Sequence, residues 1–227
     1  MKQLLNKSLK EMKNNLFLVC LLKEGCSEEV WLKFFTERFL IRETFPLLLK
    51  NGFERAFATG DQIVGNVLKS NYDEEYGLDN LGNQTSVVHS EEAREFYREL
   101  GVTDEMVEIA KVHQFPGTHY YKFMVNRLIE PNTHYLKISG ALWYIEFTLS
   151  AELHLMKRII LKKIPGLSQR SLSYLDDHIR HDAQDHAPKL KEALLNKKEL
   201  EHLILEGFTD IKNAKDNFYK KCLSLLQ

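Results

Sequence analysis

The stretch "ISGALWYIEFTLSAELHL", residues 138–155, decides how this chain is read. Its apolar side chains recur at three- and four-residue intervals, the period of a helix, and not at the alternate positions a strand requires. One acid interrupts the run. The helical neighbours of Glu146 are Leu142, Trp143, Leu149 and Ser150, and its sequence neighbours are Ile145 and Phe147, so its carboxylate faces the interior. Burying an unpaired carboxylate costs several kcal/mol or forces a large rise in its pKa, so such a group is paired, hydrogen-bonded or bound to a metal. An arginine or a tyrosine hydroxyl satisfies Glu146 in the plainer reading; a metal ion does so in the sharper one.

The same periodicity extends in both directions from this segment, and period-2 alternation is almost absent, so the spacing predicts an all-α fold. Expected helices cover 3–24, 28–57, 61–75, 85–100, 118–129, 134–163, 169–195 and 198–225, with Ser27 as an N-cap and Glu28 and Glu29 in the first turn behind it. Pro46 falls inside the second of these, where its ring and missing N–H should bend the helix or break it into two packed pieces, with a kink expected over a stop. The longest irregular stretch, "YGLDNLGNQTS" at 76–86, is rich in turn formers.

With 227 residues, 44% of them hydrophobic, the chain can build one substantial core, and a single domain over 1–227 is expected. Thirty-one Lys plus Arg offset thirty-two Asp plus Glu, and the basic residues are scattered, which argues against a nucleic-acid partner. Cys20, Cys26 and Cys222 are odd in number and lack C-x-x-C spacing, so neither a disulfide framework nor a zinc-cysteine site is suggested, and a reducing cytoplasm is expected. The apolar core "LFLVCLL" near the N-terminus follows Glu11 and lacks a cleavage site, so it reads as helix and not as a signal sequence. No run approaches the roughly 18 apolar residues that a membrane span needs.

Metal-binding side chains concentrate in "DDHIRHDAQDH", residues 176–186, with four acids and three histidines. At about 100° per residue, His178, Asp182 and Asp185 form one stripe flanked by His181 and His186. Taken alone, a solvated polar helix face explains that stripe. Two further segments change the balance: "NYDEEYG" at 71–77 closes a helix with Glu75, and "VVHSEEAREFYREL" at 87–100 opens another with His89. A carboxylate at a helix end, one histidine, one interior Glu and a His/Asp-rich helix are the mixed N and O ligand set suited to non-haem iron. His113, His119, His134, His154 and His202 lack acidic companions at ligand spacing. Neither a G-x-S-x-G nucleophile nor a phosphate-binding glycine loop is present.

With those residues assembled, the chain resembles the haem-oxygenase-like diiron oxidases, also called the iron-containing redox enzyme family, over roughly residues 16–195. The counterparts of that family's motifs are the bent helix "FFTERFLIRETFPLLL", "NYDEEYG" with Glu75, His89 ahead of "FYRELGV", then Glu146, then His178 with Asp182. Two departures stand out. The segment between Glu75 and His89 is longer than the pattern expects, which leaves Glu74 and Glu75 as alternatives. Where the pattern has His three residues after Asp182, this chain has Asp185, with His186 one position later. Either residue could complete the set; His186 is favoured because a third imidazole preserves it, reached through a local bulge.

The resemblance implies a single haem-oxygenase-like bundle of about seven to eight helices. It also implies an oxidoreductase that binds two Fe, uses O2 as co-substrate, and acts on a small organic molecule, with dimers common. Glu75, His89, Glu146, His178, Asp182 and His186 would be its ligands, and Tyr72, Tyr144 and Tyr174 neighbours with supporting or redox roles. Members include alkene-forming fatty-acid decarboxylases, N-oxygenases, amino-acid-fragmenting enzymes and the chlamydial protein associating with death domains, so the fold alone selects no reaction. A metal-poor scaffold that binds a ligand or a protein is the competing expectation, and a cofactor-independent or thiaminase-like relative is a third. Haem is not expected, because the first histidine is His89.

Overall fold

Side-chain stops set most of the helix boundaries. The computed structural model describes residues 2–79, 82–84, 88–113, 115–181 and 185–227. The helix expected over 3–24 is two helices, α1 (Lys2–Lys13) and α2 (Leu16–Glu24), because the Asn15 side chain accepts a hydrogen bond from Leu18 N at 3.2 Å and begins a new one. Ser27 caps α3 (Glu28–Arg42) as expected, its Oγ accepting from Val30 N at 3.3 Å.

The predicted kink at Pro46 is a full break: α3 ends at Arg42, and α4 (Phe45–Ala58) starts with Pro46 in its first turn. Proline is tolerated there because that N–H has no helical acceptor. Asp61 caps α5 (Gln62–Glu75), and α6 (His89–Glu99) follows. A helix missing from the sequence reading, α7 (Asp104–Val112), is capped by Thr103 Oγ, which accepts from Met106 N at 3.2 Å, with Asp104 and Glu105 in its first turn.

After α8 (Pro116–Leu128) comes α9 (Tyr135–Lys163), 29 residues matching the expected span. The helix expected over 169–195 is divided into α10 (Gln169–His181) and α11 (Ala187–Leu195), with residues 185 and 186 in a π-helical turn ahead of Pro188. α12 (Glu201–Leu223) closes the fold. The described residues therefore hold twelve α-helices instead of seven or eight, since caps and prolines divide helices that hydrophobic periodicity alone runs together. They form no strand beyond an isolated bridge between Leu78 and Gln84, and no helix among them is long and apolar enough to cross a membrane.

α9 is the axis, roughly 43 Å long at 1.5 Å per residue, and α1, α2, α4, α10, α11 and α12 all pack against it. Its contact with α12 is exceptionally close. A Cβ on Gly140 would lie 2.0 Å from Ile204 O, and one on Gly207 would lie 1.8 Å from Lys137 O, so each helix presses its backbone into a gap that only glycine leaves. This crossing pins the middle of α9, and with it Glu146, in the centre of the bundle.

Candidate metal centre

Five helix segments converge on one cavity of about 590 Å³. α5 ends there with Glu74 and Glu75, α6 begins there with His89, α9 lines it with Ile145 and Leu149, α10 contributes His178 and the π-helical turn contributes His186, with Glu146 and Asp185 adjoining His186. These segments are neighbours: α6 contacts α5 and α10, α10 contacts α9, and α11 contacts α5 and α9.

The side chains form two groups with ligand atoms within 4.8 Å of one another, Glu75 with His89 and His178, and Glu74 with Asp185 and His186. In the first, Glu75 Oε1 lies 3.4 Å from His89 Nδ1, and the His89 and His178 rings are 5.2 Å apart. Arg42 Nη2 donates to the other Glu75 oxygen at 3.0 Å. Burial pushes the Glu75 carboxyl upward, but the His89 hydrogen bond and the Arg42 charge prevail and hold it at about 2. Burial lowers His89 and Glu75 raises it, with a net rise.

His178 Nδ1 lies 2.8 Å from Tyr174 O. A carbonyl only accepts, so Nδ1 carries a proton and the backbone orients the ring, as it does for a metal-binding histidine.

In the second group His186 sits between two carboxylates, its Nε2 2.8 Å from Glu74 Oε2 and its Nδ1 3.5 Å from Glu146 Oε2. The His186 hydrogen bond lowers the Glu74 carboxyl. Glu146 is 1% exposed, and Asn71 Nδ2 donates to its Oε1 at 3.2 Å, while its Oε2 is buried with no hydrogen bond from a described residue. An anionic oxygen left so, 3.5 Å from an imidazole nitrogen, fits an electropositive guest such as a divalent metal.

The structure thus places Glu75, His89, His178 and His186 on one cavity with Glu146 beside His186, while Asp182 lies outside the described residues. Both members of each pair left open by the sequence, Glu74 with Glu75 and Asp185 with His186, are present, since Glu74 and Glu75 belong one to each group. Of the three tyrosines named as neighbours, Tyr174 lines the cavity. Tyr72 packs on Phe53 and Tyr76, and Tyr144 packs on Phe208.

Sequence reasoning missed Asn71, Arg38, Arg42, Glu152 and Lys215, all of which line the cavity. The two arginines, four residues apart amid the apolar side chains of "FFTERFLIRE", were the available signal of buried cations.

Comparison with known proteins agrees with this architecture. A CADD-like protein of unknown function from Nostoc punctiforme superposes with a TM-score of 0.75 at 17% identity, covering 99% of this chain and 100% of that one. A TenA homolog from Pseudomonas syringae pv. tomato superposes at 0.72 with 13% identity, covering 98% and 92%. Identities this low establish the shared fold. No curated protein matches the sequence. The model of the iron-containing redox enzyme family matches residues 32–212, a span that contains every residue of the two groups, and the chain belongs to that family.

Proposed function

We propose that the protein is a non-haem diiron oxidase or oxygenase that activates O2 and oxidises a small organic substrate in the central cavity. The observation that carries this reading is the buried Oε2 of Glu146, which accepts no hydrogen bond from a described residue and lies beside His186, itself on the cavity that holds the Glu75, His89 and His178 group. Glu75, His89 and His178 would hold one iron; Glu74, Glu146 and His186, with Asp185 beside them, would hold the other. Carboxylates offset the charge of the metals and imidazoles tune them; bound iron supplies one-electron chemistry with dioxygen.

The chain itself does the rest. The Tyr174 carbonyl orients the ring of His178, and Asn71 orients the Glu146 carboxylate. Phe96, Ile145, Leu149 and Leu153 supply an apolar wall that keeps water from the reacting groups.

Arg42 and His186 already engage Glu75 and Glu74, which is what a ligand-binding scaffold without metal would display. Anaerobic loading with Fe(II) separates the two readings. The oxidase takes up about two irons per chain and develops a new absorption band on exposure to oxygen; negligible uptake favours the scaffold. Glu146→Ala and His178→Ala abolish uptake and His113→Ala does not. Equal losses in all three would remove the assignment.

A further inference from the structure

A second cavity, of about 710 Å³, lies on the side of α9 away from the central one and is flanked by α1 and α11. Trp143, Phe147, Ala151 and Leu155 recur at four-residue intervals and form its floor, whereas Ile145, Leu149 and Leu153 of the same helix face the central cavity. Positions two apart on a helix point about 200° apart, so the body of α9 separates the two spaces. Leu9 of α1 and Pro188 of α11 complete the apolar walls.

The polar part of the lining is cationic. Lys13 of α1, Arg158 of α9 and Lys191 of α11 each bring an exposed side chain to it, together with His154. No Asp or Glu lines this cavity, and none of the three cations forms an ion pair or a side-chain hydrogen bond with a described residue. Nearby cations do find acids: Lys157 pairs with Asp176, and Lys189 with Asp185. In a chain whose net charge is -1, three helices that each bring an unpaired cation to one acid-free rim create a local positive field, and an anionic guest relieves its self-repulsion.

We infer that this cavity is a second ligand site, for a free organic phosphate with an apolar body: the body lies on Trp143 and Phe147, and the phosphate is received by Lys13, Arg158 and Lys191. A phosphomonoester carries a charge of about -1.5 to -2 at pH 7 and three strong acceptor oxygens, which matches three separate cations better than a monoanion does. The volume is that of a small-molecule pocket, with a mostly apolar lining and a few polar groups that fix orientation. This site uses none of the metal-binding residues and stands apart from the oxidase reading.

Calorimetric titration of the full-length chain with decyl phosphate in its monomeric range, beside decanol and inorganic phosphate, tests this. Decyl phosphate binds at least about ten-fold more tightly than either of the other two; an affinity no higher than that of decanol overturns the proposal. Lys13→Gln, Arg158→Gln and Lys191→Gln combined in one chain change exposed side chains alone, so the variant folds, and it loses the preference over decanol. A preference kept by the triple variant places the binding elsewhere, the central cavity included, and overturns the proposal. Sedimentation with phosphatidylcholine vesicles that contain phosphatidic acid tells a pocket from a membrane-docking face: capture by the vesicles without affinity for monomeric decyl phosphate also overturns it.

Discussion

Arg42 Nη2 donates to Glu75 Oε2 at 3.0 Å, so a carboxylate that would serve a metal is already neutralised by a side chain of the chain itself. The cation and the metal compete for the same oxygen. Arg42→Gln therefore destabilises the metal-free protein by about 2 kcal/mol, because it leaves Glu75 buried with less compensation. It also enlarges the rise in melting temperature that saturating Fe(II) produces, since a ligand that binds only the folded state stabilises by its own affinity. Thermal scans with and without Fe(II) check this; a smaller iron-induced shift in the variant than in the wild type refutes it.

Glu146 makes a complementary case. Glu146→Gln removes a carboxylate from a site where one oxygen has no hydrogen bond from a described residue, so the metal-free variant is no less stable than the wild type while its iron uptake collapses. Urea denaturation and metal analysis on one preparation test both halves. A large loss of stability would mean that the carboxylate serves the fold.

The α9–α12 crossing yields the sharpest mechanical prediction. Alanine at Gly140 or Gly207 places a Cβ 2.0 or 1.8 Å from a carbonyl oxygen of the opposite helix. Backbone must move, at a cost of about 3 kcal/mol or more. Gly166 has nothing within 4 Å of the equivalent position, and Gly166→Ala stays within about 0.5 kcal/mol of wild type. Chemical denaturation of the three variants is sufficient; a mild Gly140→Ala would show that the crossing tolerates separation.

Glu152 governs acid stability. Burial pushes its carboxyl up from the ordinary 4.5, but Arg38 and Lys215 outweigh that and hold it at about 2. A carboxyl depressed in the folded state contributes stability that is fully present above its unfolded pKa and disappears as pH falls through the folded value. The contribution is thus complete at pH 6 and declines from about pH 4.5 toward pH 2. Glu152→Gln, less stable at neutral pH, loses the part of the acid sensitivity that this group supplies. Denaturation midpoints at pH 6, 4 and 3 that run parallel in the two proteins would contradict the assignment.

Periodicity was enough to identify the helical class and the interior position of Glu146, because a run such as 138–155 hides its acid whatever packs around it. Residue types also marked Glu75, His89 and His178 as candidate metal-binding side chains, and the family resemblance added His186. Residue spacing could not reveal α7 or the break at Asn15, since those depend on single capping contacts and not on a repeating pattern, and at Pro46 it left open whether the helix bends or breaks. Nor could it choose between Glu74 and Glu75: neighbours on a helix point about 100° apart, and only the arrival of α6 on one side and the π-helical turn on the other gives each carboxylate its own imidazole. The Arg38, Glu152 and Lys215 cluster is the extreme case, with partners 114 and 67 positions apart in the chain for Arg38 and Tyr219 on the same carboxylate. Local sequence determines which helices form and which faces turn inward; the meeting of charges from distant helices is decided by how closely α9 and α12 cross, a relation that exists only once the chain is packed.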